Sequence, residues 1–215
     1  MVKKILIDNT DALIVIDVQN DFCPNGALAV PKGDSIIETI NKTMPLFNHI
    51  VLSQDWHPKN HKSFASNHQG KNPFDTTTMT YGEQILWPDH CISGTIGAEF
   101  HPNLEVNLAQ TIIRKGYNRD IDSYSTFFEN DRKSPTGLAG YLRENNIERL
   151  FLAGLAFEYC VGFSALDGAK LGFDVMILSD AVGYFKNQDF NSMQDSLNKS
   201  NIISMKSNSL SKTNI

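Results

Sequence analysis

Paired cysteines, long apolar runs and an excess of positive charge are all missing from this sequence of 215 residues. The three cysteines, Cys23, Cys91 and Cys160, are an odd number without paired spacing, which argues against a disulfide framework and favours free thiols in a reducing compartment. No stretch approaches the roughly 20 apolar residues that a membrane helix requires. The apolar run near Met1 is too short for a signal peptide. We therefore expect a cytoplasmic protein with no membrane partner.

The charge balance argues against a second class of partners. Lysine and arginine number 19 and aspartate and glutamate 24, which gives a net charge of −5 at pH 7. Such a chain lacks the basic character that attracts nucleic acids and anionic membranes. We therefore expect no nucleic-acid partner; the sequence leaves open whether the protein forms a homo-oligomer.

Short apolar runs alternate with amphipathic segments along the chain, which is typical of parallel β–α–β units. The pattern predicts helices at 34–47, 134–147 and 159–171, and strands at 12–16, 50–52, 111–114, 149–154, 174–178 and 202–205. The prediction is one α/β domain over residues 1–215, a parallel sheet of about six strands with helices on both faces. Residues 55–107 lack periodicity, and so long an irregular span is usually functional. We expect the last eight or so residues, which are polar, to form a frayed tail.

Chemically active side chains follow four of the predicted strands. Asp17 follows the first strand and Lys115 the third. Asp55 and His57 come after the second strand, and Cys160 after the fourth. Ligands of parallel α/β sheets bind beyond the carboxyl ends of the strands, so these groups should meet at one edge. Their convergence predicts an active site there.

Cys160 stands at the start of a predicted helix, where the N–H groups and the helix dipole favour an anion and lower a thiol pKa. The same N–H groups can hold an oxyanion. A carboxylate at the end of an apolar strand is costly unless paired, so we interpret Asp17 as a general base and Lys115 as its partner. The alternative is a small buried thiol and a solvated lysine. The neighbouring strand ends favour catalysis.

A metal site is suggested by Asp55 and His57 together with His90. One carboxylate and two imidazoles suit zinc, iron or manganese, with open positions for water or substrate. His61, four residues after His57, is a candidate fourth ligand or a neighbour of the ligands. A structural zinc site would more often be rich in cysteine, and the sequence has no Cys-x-x-Cys pair to support a redox module.

Several segments together resemble the nicotinamidases (nicotinamide amidohydrolases) of the isochorismatase-like cysteine hydrolase superfamily. The matches run in order from about residue 11 to 205, and the segments are 17–24, 26–30, 54–58, 61–66, 86–91, 94–95, 115–116, 122–128 and 154–161. The resemblance implies a six-stranded parallel sheet. It also implies conversion of nicotinamide to nicotinic acid and ammonia through a cysteine thioester, usually in NAD salvage.

The resemblance also assigns roles to residues. It implies a triad of Asp17, Lys115 and Cys160. It implies one divalent metal, zinc first and iron or manganese as alternatives, held by Asp55, His57 and His90 with His61 as the candidate fourth protein ligand. The ring nitrogen of the substrate would meet this metal. By position, the walls of the ring pocket would be Phe22, Leu28, Trp87 and Tyr124, and the oxyanion hole would be the amides of Ala156 and Cys160.

The segment before Cys160 departs from the family pattern. The family usually has Thr-Asp where this chain has Phe157-Glu158. A bulky Phe157 would narrow the site or add an apolar wall, and we expect a cis peptide bond before residue 157. The change keeps open another small-amide or N-carbamoyl hydrolase of the same fold. A non-catalytic metal-binding module is less favoured.

Overall fold

In the computed structural model, residues 4–186 and 188–213 are described. The α-helices are α1 (Ile37–Thr43), α2 (Leu138–Glu144), α3 (Gly162–Lys170) and α4 (Asp189–Lys199). The strands are β1 (Ile5–Ile7), β2 (Asp11–Ile16), β3 (His49–Asp55), β4 (Thr76–Met79), β5 (Gly82–Ile85), β6 (Thr111–Lys115), β7 (Arg149–Gly154), β8 (Asp174–Val182), β9 (Ile203–Met205) and β10 (Leu210–Lys212).

Six of these strands form one parallel sheet in the order β6-β3-β2-β7-β8-β9. Strand β2 lies in the middle and is buried along its whole length. Its side chains alternate between two cores, as the pleat of a strand requires. Leu13 and Val15 join the core that α1 covers, whereas Ile14 and Ile16 join the core beneath α2, α3 and α4. The predicted fold, a single domain with helices on both faces of a six-stranded parallel sheet, is confirmed.

The predicted helices are shorter and less regular than expected. The segment predicted as one helix over 34–47 is a 3-10 turn, then α1, then a second 3-10 turn that contains Pro45. Proline has no N–H group to donate within a helix, which explains the change there. The helix predicted at 159–171 begins as a π-helical turn, Phe157–Val161, and continues as α3.

The expectation of a frayed tail is wrong for residues 208–213. Strand β10 pairs in parallel with β1, with Ile5 opposite Leu210. Leu210 is buried, and the Thr213 N–H donates to the carbonyl of Ile7. One buried leucine and a backbone ladder hold this segment, despite its polar composition. Residues 214 and 215 lie outside the described residues.

The long span before β6 contains three short 3-10 turns and one hairpin. Strands β4 and β5 form an antiparallel hairpin that the sequence did not predict. Within the described ranges, no helix is long and apolar enough to cross a membrane.

Candidate active site

The ammonium of Lys115 is the centre of the site at the carboxyl edge of the sheet. Lys115 is fully buried at the end of β6, directly opposite Asp55 in the register of β3 and β6. Its Nζ lies 2.8 Å from Asp17 Oδ2 and 2.6 Å from Asp55 Oδ1, and it also donates to the carbonyl of Ser123 at 2.9 Å. The same Nζ is 3.4 Å from Cys160 Sγ. The predicted base, cation and thiol therefore lie together.

The carboxylate of Asp17 is fixed by a hydrogen bond to one oxygen, which leaves the other oxygen available to accept a proton. Asp17 adopts a left-handed backbone conformation (φ 49°), which is uncommon for residues other than glycine and occurs mainly where surrounding structure imposes it. The Ser53 hydroxyl donates to Oδ1 at 2.7 Å. Oδ2, apart from its ion pair with Lys115, accepts no hydrogen bond from the described residues. A carboxylate oxygen of Asp17 lies within 4.8 Å of Cys160 Sγ, so Asp17 is close enough to take the thiol proton.

Burial governs the protonation of the three groups. It raises the pKa of the Cys160 thiol well above its usual range, and Lys115 opposes this shift. The expectation that the helix start lowers this pKa is therefore wrong for the resting site. Burial likewise raises the pKa of Asp17 against the effect of Lys115. Burial would lower the pKa of Lys115, but Asp17 and Asp55 outweigh it and raise that pKa well above its usual range. The site therefore contains a neutral Cys160 thiol beside a charged Lys115 ammonium.

The predicted metal ligands form a second group that shares Asp55 with the first. Asp55 Oδ2 is 3.4 Å from His57 Nε2 and 3.8 Å from His90 Nε2. The Nδ1 atoms point away, to the carbonyl of Gly116 at 2.8 Å and to that of Pro88 at 2.8 Å. These carbonyls fix the tautomers in which Nε2 is an acceptor, as in many metal-binding histidines. His57 Nε2 is buried without a hydrogen-bond partner among the described residues, so the set fits a cation.

His61 has different contacts from the three predicted ligands. Its Nδ1 lies 2.7 Å from Ser63 Oγ and its Nε2 lies 3.2 Å from the carbonyl of Ile121. Burial, and then the neighbouring His57, lower its pKa to about 4. With His57 and Asp122 it forms a separate group of possible ligands, outside the group centred on Asp55. Its role as a fourth ligand stays a prediction.

A pocket with about 380 Å³ of empty space, part of it open to solvent, lies above Cys160. All of the predicted wall residues line it: Phe22, Leu28, Trp87 and Tyr124. Asp55, His90, Ala156 and Cys160 line it as well. The Ala156 N–H donates to no carbonyl or side chain among the described residues, as an oxyanion donor should.

Tyr159 and Phe185 are pocket walls that the sequence did not predict. Tyr159 lies 5.0 Å from Trp87 between ring centroids, almost perpendicular to it. Its place directly before Cys160 was the only available signal. Phe185 follows β8, and nothing local in the sequence marks it.

Two predictions about the segment before Cys160 are wrong. The cis peptide bond joins Leu155 and Ala156, one residue earlier than predicted. Phe157 does not line the pocket but packs in the core against Phe190, with ring centroids 4.8 Å apart. The larger side chain therefore does not narrow the site.

Comparison with known proteins places the chain in a family. The model of the isochorismatase domain matches residues 11–205. The nicotinamidase of Acinetobacter baylyi is 54% identical over 173 residues, which cover 80% of this chain and 81% of that protein. The chain belongs to the isochorismatase domain family.

Solved structures agree with this isochorismatase-family assignment. A nicotinamidase and pyrazinamidase of Acinetobacter baumanii superimposes with a TM-score of 0.92 at 46% identity, covering 94% of this chain and 98% of that one. PnC1 of L. infantum, in complex with nicotinate, has a TM-score of 0.86 at 34% identity over 98% and 100% of the two chains. The pyrazinamidase of Pyrococcus horikoshii, in complex with zinc, has a TM-score of 0.75 at 37% identity over 92% and 99%.

Proposed function

We propose that this protein hydrolyses nicotinamide to nicotinic acid and ammonia through a thioester on Cys160. The observation that carries the proposal is the contact of the Lys115 ammonium with both Asp17 and Cys160, directly beneath an aromatic pocket. The relatives named as nicotinamidases support the choice of substrate.

The pocket suits a flat aromatic ring. The rings of Trp87 and Tyr124 lie 6.1 Å apart at 77°, and Tyr159 completes an edge-to-face cluster with both. Such walls favour a ring that packs between them. The carboxamide of a ring in this position would reach Cys160 and the N–H of Ala156.

The chemistry is acyl transfer in two steps. Asp17 takes the thiol proton as the sulfur of Cys160 attacks the carboxamide carbon, and Lys115 stabilises the thiolate. The Ala156 N–H stabilises the oxyanion of the tetrahedral adduct. The C–N bond then breaks, Asp17 returns the proton to the leaving nitrogen, and ammonia departs. Water adds to the thioester, and nicotinic acid and the free thiol result.

Asp55, His57 and His90 would hold the divalent metal, for which we propose zinc because a structurally similar pyrazinamidase was solved with zinc. A bound metal ion would act as a Lewis acid that binds the ring nitrogen of the substrate and so orients its carboxamide. His61 is retained as a possible fourth ligand. Metal analysis of the purified protein by mass spectrometry tests these assignments, and a metal content unchanged in His90→Ala would contradict them.

We further propose that the protein acts in the cytoplasm in NAD salvage, with no nucleic-acid or membrane partner. The net charge of −5 supports the last point. An N-carbamoyl substrate is not favoured, because Phe157 lies outside the pocket. Pyrazinamide, a ring carboxamide of similar shape, should fit the same walls.

Ammonia release from nicotinamide tests the central proposal. Cys160→Ala should lose turnover, and the intact mass of the wild type quenched during turnover should show a nicotinoyl adduct that the variant lacks. The matched control is Cys23→Ala, which removes a buried thiol that does not line the pocket. Turnover by Cys160→Ala at the wild-type rate would contradict the proposal.

A further inference from the structure

Glu158 is a buried carboxylate that the proposed chemistry does not use. Its side chain is 1% exposed and accepts two hydrogen bonds from successive backbone N–H groups. The Phe185 N–H donates to Oε2 at 3.1 Å and the Lys186 N–H donates to Oε1 at 2.6 Å. Successive N–H groups form a concavity that favours an anion, and hydrogen bonds to a charged acceptor are stronger than neutral ones. Glu158 therefore fixes the backbone of the segment that follows β8.

This segment carries a wall of the substrate pocket. Phe185 lines the pocket, and its ring lies 6.2 Å from that of Tyr159 between centroids. The backbone bonds from Phe157 to Gly183 and from Gly183 to Gly154 secure the start of the segment. Beyond that point Lys186 is left-handed (φ 58°), a conformation that a lysine needs help to keep. The carboxylate supplies that help.

Glu158 does not touch the pocket itself. It is not among the pocket's lining residues and faces a neighbouring cleft that Asp189 also lines. Any effect on substrate must pass through Phe185 or through the turn that leads to Cys160. The first route would change binding of the ring alone, whereas the second would change the chemical step at Cys160 together with the pocket wall at Tyr159. The two are separable by experiment.

We propose that Glu158 is a positioning residue that holds Phe185 against the ring of the substrate and so sets affinity for ring carboxamides. The effect on substrate rests on the proposed function, whereas the anchoring of residues 185 and 186 does not. Hydrogen exchange therefore tests the anchoring and kinetics test the effect on substrate, so that a failure of the anchoring is distinguished from a failure of the proposed function.

Amide hydrogen exchange tests the anchoring without substrate. In Glu158→Gln, the amides of Phe185 and Lys186 should exchange roughly tenfold faster or more, as expected when hydrogen bonds to a charged group are lost. Glu158→Asp keeps the carboxylate and should restore part of the protection. Unchanged exchange in Glu158→Gln would overturn the anchoring, whether or not the protein hydrolyses nicotinamide.

Kinetics with nicotinamide test the role of the anchored wall. Glu158→Gln should raise KM roughly tenfold with kcat changed much less, the result expected when binding common to the ground and transition states is lost. In a Phe185→Ala background the same change should have no further effect on KM. A fall in kcat at constant KM, or additive effects in the double variant, would overturn the proposal.

Asp11→Asn is the control for a general loss of stability. Asp11 is fully buried and paired with Arg149, but it lies at the amino end of β2, about 20 Å from the catalytic edge for a six-residue strand. This variant should lower thermal stability and leave KM unchanged. A KM that rises equally in Asp11→Asn would show that destabilisation alone explains the effect, and would overturn the proposal.

Discussion

Replacing Lys115 with methionine should destabilise the protein far more than the same replacement of an exposed lysine that forms an equally short ion pair. Lys115 is fully buried and pairs with Asp17 at 2.8 Å and Asp55 at 2.6 Å. Removing one member of a buried ion pair costs about 3–5 kcal/mol because an unpaired charge stays behind. The control is Lys62, which pairs with Asp120 at the same 2.8 Å while both side chains are 48% exposed.

The two substitutions predict different melting temperatures. Exposed pairs contribute about 0–1 kcal/mol. For a chain of this size, 1 kcal/mol corresponds to about 2–4 °C. Lys115→Met should therefore lower the melting temperature by about 10 °C, and Lys62→Met by less than about 4 °C. Differential scanning calorimetry, run with a chelator on the wild type and both variants, measures the difference.

The deficit of Lys115→Met should also grow with pH. Burial raises the pKa of Asp17 and Lys115 lowers it, so removing the lysine raises that pKa further. An acid whose pKa is raised in the folded state stabilises that state only while protonated. This stability is present below the pKa of the unfolded chain and is lost as the pH rises through the folded pKa. A deficit that is the same from pH 4.5 to pH 8, or no larger than that of Lys62→Met, would refute the reasoning.

Two further predictions concern groups behind the site. Gly116→Ala should weaken metal binding roughly 10- to 100-fold, because the φ of Gly116 is 67° and an added Cβ would clash with the His57 ring. Calorimetric metal titration measures the change. The control is Gly70→Ala, where φ is 74° and the space around an added Cβ is open. Burial raises the pKa of Glu129 from 4.5 to about 7, so the native state loses stability as the pH rises from about 4.5 to 7. In Glu129→Gln this loss should disappear from the free energies of unfolding measured in urea at pH 5 and pH 8. A pH dependence equal to that of the wild type would contradict the prediction.

The sequence was sufficient to predict the central sheet and the residues at its carboxyl edge. Continuous apolar runs marked the buried strands, and the polar residues that follow them had only one edge at which to meet. Asp17, Lys115 and Cys160 meet there, and so do Asp55 and the two histidines. The prediction succeeded because strand ends are positioned by the strands themselves.

The remaining features depend on contacts that no local pattern records. Strands β1 and β10 have three residues each and pair across about two hundred positions, and β10 has only one apolar residue, Leu210, so no local pattern marks the pair. Phe185 lines the pocket from a segment whose backbone is bonded to Glu158, 27 residues earlier in the chain. The direction of Phe157 depends on the exact start of the turn, since successive side chains of an α-helix differ by about 100°. An error of one residue, as with the cis bond, is enough to assign a side chain to the wrong face.

Asp55 joins the proposed triad to the proposed metal ligands, although the sequence presented them as separate groups. Its Oδ1 binds the Lys115 ammonium and its Oδ2 faces the Nε2 atoms of His57 and His90. Burial is the main cause of the raised pKa of the Cys160 thiol, and the excess of negative charge from two buried carboxylates, Asp17 and Asp55, beside the one ammonium of Lys115 adds to it. A cation held by Oδ2 would offset that excess at the atom where it arises. A metal ion bound there would therefore act on the thiol through a single carboxylate, in addition to any contact with the substrate.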